Sequence, residues 1–257
     1  MAEGDTILRA ARRIERALAG NELAVSTPNP RGRTGGIQRL DGRVLDRANA
    51  RGKHLLLHFD DLILHSHLGM SGSWHVYPRG ARWRKPTGAA WAVLKGEKAE
   101  AVQFGGPTLR VLTAGALRRD PTLSRLGPDI LAADFDAEVV AHSLRTDPQR
   151  TLGDALLDQT LVAGIGNIFK SEACFAARLD PWQPLAALPD DQLQSVAQSA
   201  HDLMQSAVDH GRHSQAVYRR AGHPCARCGT RILSRGQGDD NRTTYWCPKC
   251  QLPSASA

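Results

Sequence analysis

The sequence predicts an α+β, multidomain chain with an N-terminal β-sandwich and its helix, a helical middle domain and a small C-terminal β-hairpin unit. Three observations carry this expectation. Short β-prone runs separated by Gly, Pro and Asp fill residues 22–112. Helical periodicity replaces them from about residue 115. Four of the five cysteines cluster near the C-terminus. A length of 257 residues is enough for two or three domains. The expected division is 1–114 for the β-rich domain, 115–220 for the helical domain, 221–252 for the cysteine unit and 253–257 for a disordered tail.

The first element is a helix. Ile7, Ala10, Ala11, Ile14, Ala17 and Leu18 recur at helical spacing. Glu3 and Asp5 fall at its start, where carboxylates interact favourably with the partly positive end of the helix dipole. The runs RVLDRANARGKHLLLHF, LILHSHLGMSGSWHVY, AAWAVLKG and TLRVLT then read as strands of a sandwich or barrel packed on that helix. His54, His58, His65 and His67 lie in these runs and read as ordinary strand or surface residues. The sequence RLGPDILAAD, with its Gly and Pro, marks the passage to helices.

In the helical part, DFDAEVVAHSL, LGDALLDQTLV, GNIFKSEACFAARL and DDQLQSVAQSAHDLMQSAVDHG carry Asp or Asn near their starts. Between the second and third of these, AGIG supplies Gly164 and Gly166 for a sharp turn, and Asn167 reads as the N-cap of the next helix. A helix–two-turn–helix of this kind offers backbone N–H groups and an amide to an anion such as phosphate. Cys174 lies in an apolar helical run and reads as a buried thiol.

Cys225-Ala-Arg-Cys228 and Cys247-Pro-Lys-Cys250 form two CxxC knuckles. Their spacing presents four thiolates to one structural zinc ion, giving a zinc-bound β-hairpin too small to hold a core of its own. Redox-active thiols are the alternative, and no βαβ pattern supports them. TRIL and TTYW read as the strands of the hairpin, with Arg235 and Arg242 in a polar turn. A cluster of thiols in a chain with no disulfide framework indicates a reducing compartment.

The formal charge of +7 suits a polyanionic partner, because each cation that meets a phosphate releases a condensed counterion. No apolar run approaches the roughly 18 residues of a membrane span, and no secretion signal is recognisable, so a cytoplasmic protein with no membrane partner is expected. A monomer is expected as well.

Taken in order, AEGDT, ARGKHLLLHF, HSHLGMSG, GIGNIF and NRTTYWCPKCQ make the chain resemble the formamidopyrimidine-DNA glycosylase and endonuclease VIII family, closest to the endonuclease VIII branch. The resemblance spans about residues 2–252. It implies base excision repair on double-stranded DNA containing oxidised bases or abasic sites. Such an enzyme flips and removes the base, then nicks the strand through a Schiff base at the N-terminal amine. Matched to the family motifs, Ala2 supplies that amine, Glu3 moves protons and Lys53 meets phosphate and sugar. Met70 fills the void in the base stack, and Asn167 and Arg242 grip phosphates.

The chain departs from the family pattern at three places. Ala2 replaces the usual proline, so the imine formed must be protonated to act as an electron sink. Gln103-Phe104 stands where one branch carries an Arg-Phe pair that probes the opposite strand. VDHGRHSQAVYRR lacks the longer loop that closes over an oxidised purine, which favours oxidised pyrimidines or abasic sites. A non-catalytic binder of damaged or abasic DNA is the alternative that the loss of proline raises. A zinc-ribbon protein of transcription or translation would explain the cysteines and the charge but not the N-terminus or the GIGN turn.

Overall fold

The structure, a computed structural model, describes residues 2–211, 213–238 and 240–252. The expected tail at 253–257 lies outside them. The chain forms two compact units, one up to Arg125 and one from Leu126 onward.

The first unit begins with helix α1 (Gly4–Leu18), whose Ile7, Ala11, Ile14 and Leu18 are buried while Arg12, Arg13 and Arg16 face solvent. These four apolar positions follow the i, i+3/i+4 stripe that a core-facing helix requires. Two antiparallel sheets follow. One contains β1 (Glu22–Ser26), β2 (Arg43–Val44), β6 (Ser73–Pro78), β7 (Ala90–Lys95) and β8 (Ala99–Phe104), in the order β2-β1-β7-β8-β6. The other contains β3 (Arg47–Arg51), β4 (His54–Phe59), β5 (Leu62–His67) and β9 (Thr108–Thr113), in the order β3-β4-β5-β9. Leu55, Leu57, Phe59 and Leu64 from the four-stranded sheet share one apolar core with Ala92, Leu94 and Ala101 from the five-stranded sheet and with the buried stripe of α1. The sandwich reading therefore holds over the barrel. Helix α2 (Ala114–Arg118), capped by the Thr113 hydroxyl, closes the unit.

The second unit is built on α3 (Ala137–Leu144), α4 (Leu152–Ala155), α5 (Asn167–Ala177) and α6 (Asp190–His210). Val140, Leu144, Leu152, Ile165, Phe169, Val196 and Met204 meet in its core. The Asp136 carboxylate caps α3, and Gly211 ends α6 in the left-handed conformation. LGDALLDQTLV forms only one helical turn, α4, where the periodicity suggested a longer helix. Asp158 explains the stop: its carboxylate accepts from the Thr160 N–H and hydroxyl and pairs with Arg150, which fixes a turn where the helix would continue.

The zinc hairpin comprises β10 (Leu233–Gln237) and β11 (Arg242–Trp246), paired from Leu233↔Trp246 to Gln237↔Arg242. Its first strand is thus LSRGQ rather than TRIL. Gln237 decides this register. It is buried, donates to the Thr151 hydroxyl and the Pro181 carbonyl, and accepts from the Thr244 hydroxyl, so it belongs to the ladder and not to the turn.

Candidate functional site

In the first unit, Glu3 is the N-cap residue of α1. Its backbone carbonyl accepts from the N–H of Thr6 and Ile7, while its side chain makes no capping bond to the helix. That side chain is buried, at 1 % exposure. Asp5 is also buried and lies 3.9 Å from Arg9 one turn on. The dipole interaction expected of the acidic start therefore falls to Asp5, and the Glu3 carboxylate is held out of water without serving as a cap. Ala2 lines a pocket of about 270 Å³ together with Thr6, Arg9, Arg13, Met70 and His75. Met70 follows Gly69, whose φ of +57° turns the chain outward, and it is 62 % exposed. Arg9 and Arg13 are the cations that line this pocket, and His75 is held below its ordinary pKa first by burial and then by the charges of Lys85, Arg84 and Arg13.

Lys53 sits in the two-residue turn joining β3 to β4, where Arg51 pairs with His54. Gly52 precedes it at φ +55°, the left-handed backbone that such hairpin turns demand. The strands behind this turn hold a feature that sequence reading missed. His54 and His65 are buried rather than ordinary strand or surface positions. Burial draws the His54 pKa down to about 3, with help from His67 and His65. Burial and then Arg110 draw His65 down to about 4. Histidines in the unfolded chain titrate near 6.5. Below that pH the unfolded chain takes up protons that the folded chain refuses, so stability falls as pH drops from about 6.5 towards 4, by about 1.4 kcal/mol per pH unit for each such site. Urea titrations at pH 7, 6 and 5 check this. A flat unfolding free energy across that range would remove the two imidazoles from the stability of the fold.

Gln103 and Phe104 are both buried. Gln103 accepts from the Ser66 hydroxyl and donates to the Gly105 carbonyl. Phe104 packs against Trp83 and His75 and lies under the Lys85 ammonium. This pair braces a loop.

In the second unit, Gly166 is the N-cap of α5 and Asn167 is its first residue, a correction to the capping role expected of Asn167. Asn167 lies inside the first turn, and its amide nitrogen donates to the Thr243 carbonyl of β11 at 2.8 Å, which directs the side chain to the hairpin. Of the two glycines in the turn, only Gly164 needs the left-handed region, with φ +104°. Arg242 opens β11 with a half-exposed side chain, 3.6 Å from Asp240. Lys170, fully buried, donates to the Thr244 hydroxyl. Helix α5 thereby holds the hairpin through three side-chain bonds to β11, the third from the Ser171 hydroxyl accepting the Tyr245 N–H. Glu172, also on α5, accepts the N–H groups of Ala216, Val217 and Tyr218 and fixes the segment leading into the cysteine unit.

The sulfur atoms of Cys225, Cys228, Cys247 and Cys250 all lie within 4.8 Å of one another, with Cys225–Cys250 at 3.9 Å and Cys228–Cys247 at 3.5 Å. Four thiolates round a zinc ion at about 2.3 Å stand about 3.8 Å apart, so the cluster fits one structural zinc with every position taken by protein. Cys174 stands apart, fully buried, with burial pushing its thiol up to about 12.

A β-sandwich, a glycine turn at the head of a buried helix and a four-cysteine hairpin docked on that helix define the class of zinc-finger DNA-repair glycosylases. Residues 1–108 match the formamidopyrimidine-DNA glycosylase N-terminal domain, residues 126–218 the formamidopyrimidine-DNA glycosylase H2TH domain, and residues 222–252 the zinc finger found in FPG and IleRS. The chain is 42 % identical over 268 residues to "Probable endonuclease 8 2" of Streptomyces coelicolor, covering 99 % of this chain and 95 % of that protein. It is 35 % identical over 266 residues to "DNA-(apurinic or apyrimidinic site) lyase Nei2" of Mycolicibacterium smegmatis, covering 99 % and 100 %. A crystal structure of Lactococcus lactis formamidopyrimidine-DNA glycosylase bound non-covalently to DNA with an abasic site superposes with a TM-score of 0.83 at 25 % identity, covering 97 % of this chain and 99 % of that one. The chain belongs to the formamidopyrimidine-DNA glycosylase and endonuclease VIII family and is a base excision repair enzyme, a DNA glycosylase with abasic-site lyase activity. Among the described residues no helix is long and apolar enough to cross a membrane.

Proposed function

We propose that the enzyme removes oxidised bases, pyrimidines in preference, and cuts the strand through a Schiff base formed by the amine of Ala2 once Met1 is removed. A free α-amine titrates near 7.7–8.0, so a useful fraction is neutral and nucleophilic at neutral pH. Its lone pair attacks C1′ of the everted deoxyribose, the base leaves, and the sugar ring opens to an imine. Protonated, that imine withdraws electrons as a proton leaves C2′ and the 3′ C–O bond breaks. Glu3 moves the protons, Lys53 meets the sugar and its phosphate, Met70 fills the vacated stack, and Asn167 and Arg242 hold phosphates.

The observation that carries this reading is the pocket lined by both residue 2 and the exposed Met70; Glu3 follows residue 2 in the chain, with its side chain buried. An amine and a stack-filling side chain must both face the everted nucleotide. Arg9 and Arg13 in the pocket lining suit a polyanion.

The deciding experiment incubates the protein with abasic-site duplex and borohydride, then maps the trapped peptide. An adduct on residue 2 is expected. A correctly processed chain that cleaves DNA without one would overturn the mechanism, and a chain that neither traps nor cleaves would be a non-catalytic binder. For lesion choice, thymine glycol should be excised faster than 8-oxoguanine; equal rates would count against the pyrimidine preference. Arg242→Ala should weaken binding across sequences and lower the slope of log K against log salt by about one unit. Anisotropy titrations at several salt concentrations measure it, and an unchanged slope would remove Arg242 from the phosphate contacts.

A further inference from the structure

Behind the turn that carries Lys53 runs a row of hydrogen-bonded side chains that the proposed chemistry leaves without a role. It starts at Asp120, whose Oδ1 accepts the N–H groups of Thr122 and Leu123 and whose Oδ2 accepts from the Arg110 guanidinium. Arg110 Nε donates to Nδ1 of His65 at 3.3 Å. An arginine only donates, so Nδ1 of His65 is the acceptor and the ring proton sits on Nε2. That nitrogen lies 2.8 Å from Nδ1 of His54, which must therefore accept. His54 then carries its own proton on Nε2. One anchored carboxylate thus dictates the tautomers of two imidazoles in succession.

The hydrogen-bonded row ends at His54, beside Lys53 in the chain. His54 starts β4, and the ladder pairs it with His67 at the end of β5. Their rings lie 4.7 Å apart. The Lys53 charge reaches His67, which it helps hold below its ordinary pKa after burial has done most. The charged and titratable groups acting on His54 are His65 and His67 from β5, Arg110 from β9 and Asp120 beyond α2. Burial keeps His54 and His65 neutral near pH 7, so the proton positions dictated by the row hold there.

We propose that Asp120, Arg110 and His65 are positioning residues for Lys53, acting by locking the orientation and tautomer of His54 at the base of its turn. The proposal rests on the reading of Lys53 as a residue that meets the sugar and its phosphate. A reacting group displaced by about 1 Å can lose about a hundredfold in rate, which gives a remote anchor its leverage.

The test is a double-mutant cycle, read by single-turnover cleavage of abasic-site duplex with DNA affinity measured in parallel. His65→Leu should slow cleavage about tenfold to hundredfold, with no matching loss of affinity for undamaged duplex. His65→Gln should recover most of the rate, because its amide nitrogen can donate to His54 while its carbonyl accepts from Arg110. In a Lys53→Ala background, His65→Leu should have no further effect. Should His65→Leu fail to fold, Asp120→Asn carries the same expectations, since it keeps the Oδ1 acceptor of the turn and weakens only the pair with Arg110. Additive losses in the cycle would overturn the proposal and leave the role of Lys53 standing. Wild-type cleavage by Lys53→Ala would instead overturn the role of Lys53 itself, and the positioning proposal with it.

Discussion

Glu3→Gln should lower base release and strand cleavage by about 10²–10⁴-fold, the range in which a positioned acid or base acts. DNA affinity and thermal stability should barely change. The separation follows from how the residue is held. Loss of a side-chain cap would cost the helix about 0.5–2 kcal/mol, but Glu3 caps α1 with its backbone carbonyl, which glutamine keeps. The amide matches the carboxylate in shape and removes only its charge and its capacity to exchange a proton. Asp5 is the built-in control. It is the other buried acid at this end, but its carboxylate lies 3.9 Å from the Arg9 guanidinium one turn on. Asp5→Asn should therefore lower stability slightly and leave turnover near wild type. Rapid-quench kinetics on base-containing and pre-formed abasic duplexes would separate the two chemical steps. An unchanged rate for Glu3→Gln on both substrates would remove the residue from the mechanism.

Elements governed by local periodicity were legible in the sequence. Helix α1 showed its apolar stripe, α6 showed acidic residues at its start and Gly211 at its end, and the two CxxC knuckles announced the metal. Features decided by distant partners were not. Asn167 has a capping side chain at the head of a helix, but a carbonyl of β11 claims its amide. LSRGQ is a poor strand by composition and becomes one because Gln237 is bonded to Thr151 and Pro181 across the unit. The buried histidines do carry a signal in the sequence. HLLLHF and LILHSH are separated by two aspartates, which is enough for a tight turn, and that turn alone sets His54 opposite His67. What no local pattern could give is Arg110, which reaches the same row from the neighbouring strand β9.

Stripping the zinc, or replacing Cys247 with Ser, should abolish productive DNA binding while leaving the β-sandwich folded. Metal affinity in such a unit is folding energy, about 10–16 kcal/mol for isolated zinc fingers, and the apolar cluster that remains is small. It joins Val217, Ile232 and Phe175 to two of the cysteines themselves. The damage should then spread into α5. Arg227, between the first two cysteines, donates to the Phe175 carbonyl near the end of that helix and stacks 4.0 Å over the Phe175 ring. Gln251, just after the last cysteine, donates to the Leu179 carbonyl. Loss of the hairpin also takes Thr244 from Lys170, which opens a buried ammonium to water, and takes the Thr243 carbonyl from Asn167. Among the described residues, the sandwich core is built from residues between Ile7 and Val111 of the first unit. Calorimetry should therefore show one transition weakened and another preserved, and elemental analysis should show loss of one equivalent of zinc. Full DNA affinity in the zinc-free protein would separate the finger from DNA recognition, because a hairpin without its metal has no means of holding Arg242 in place.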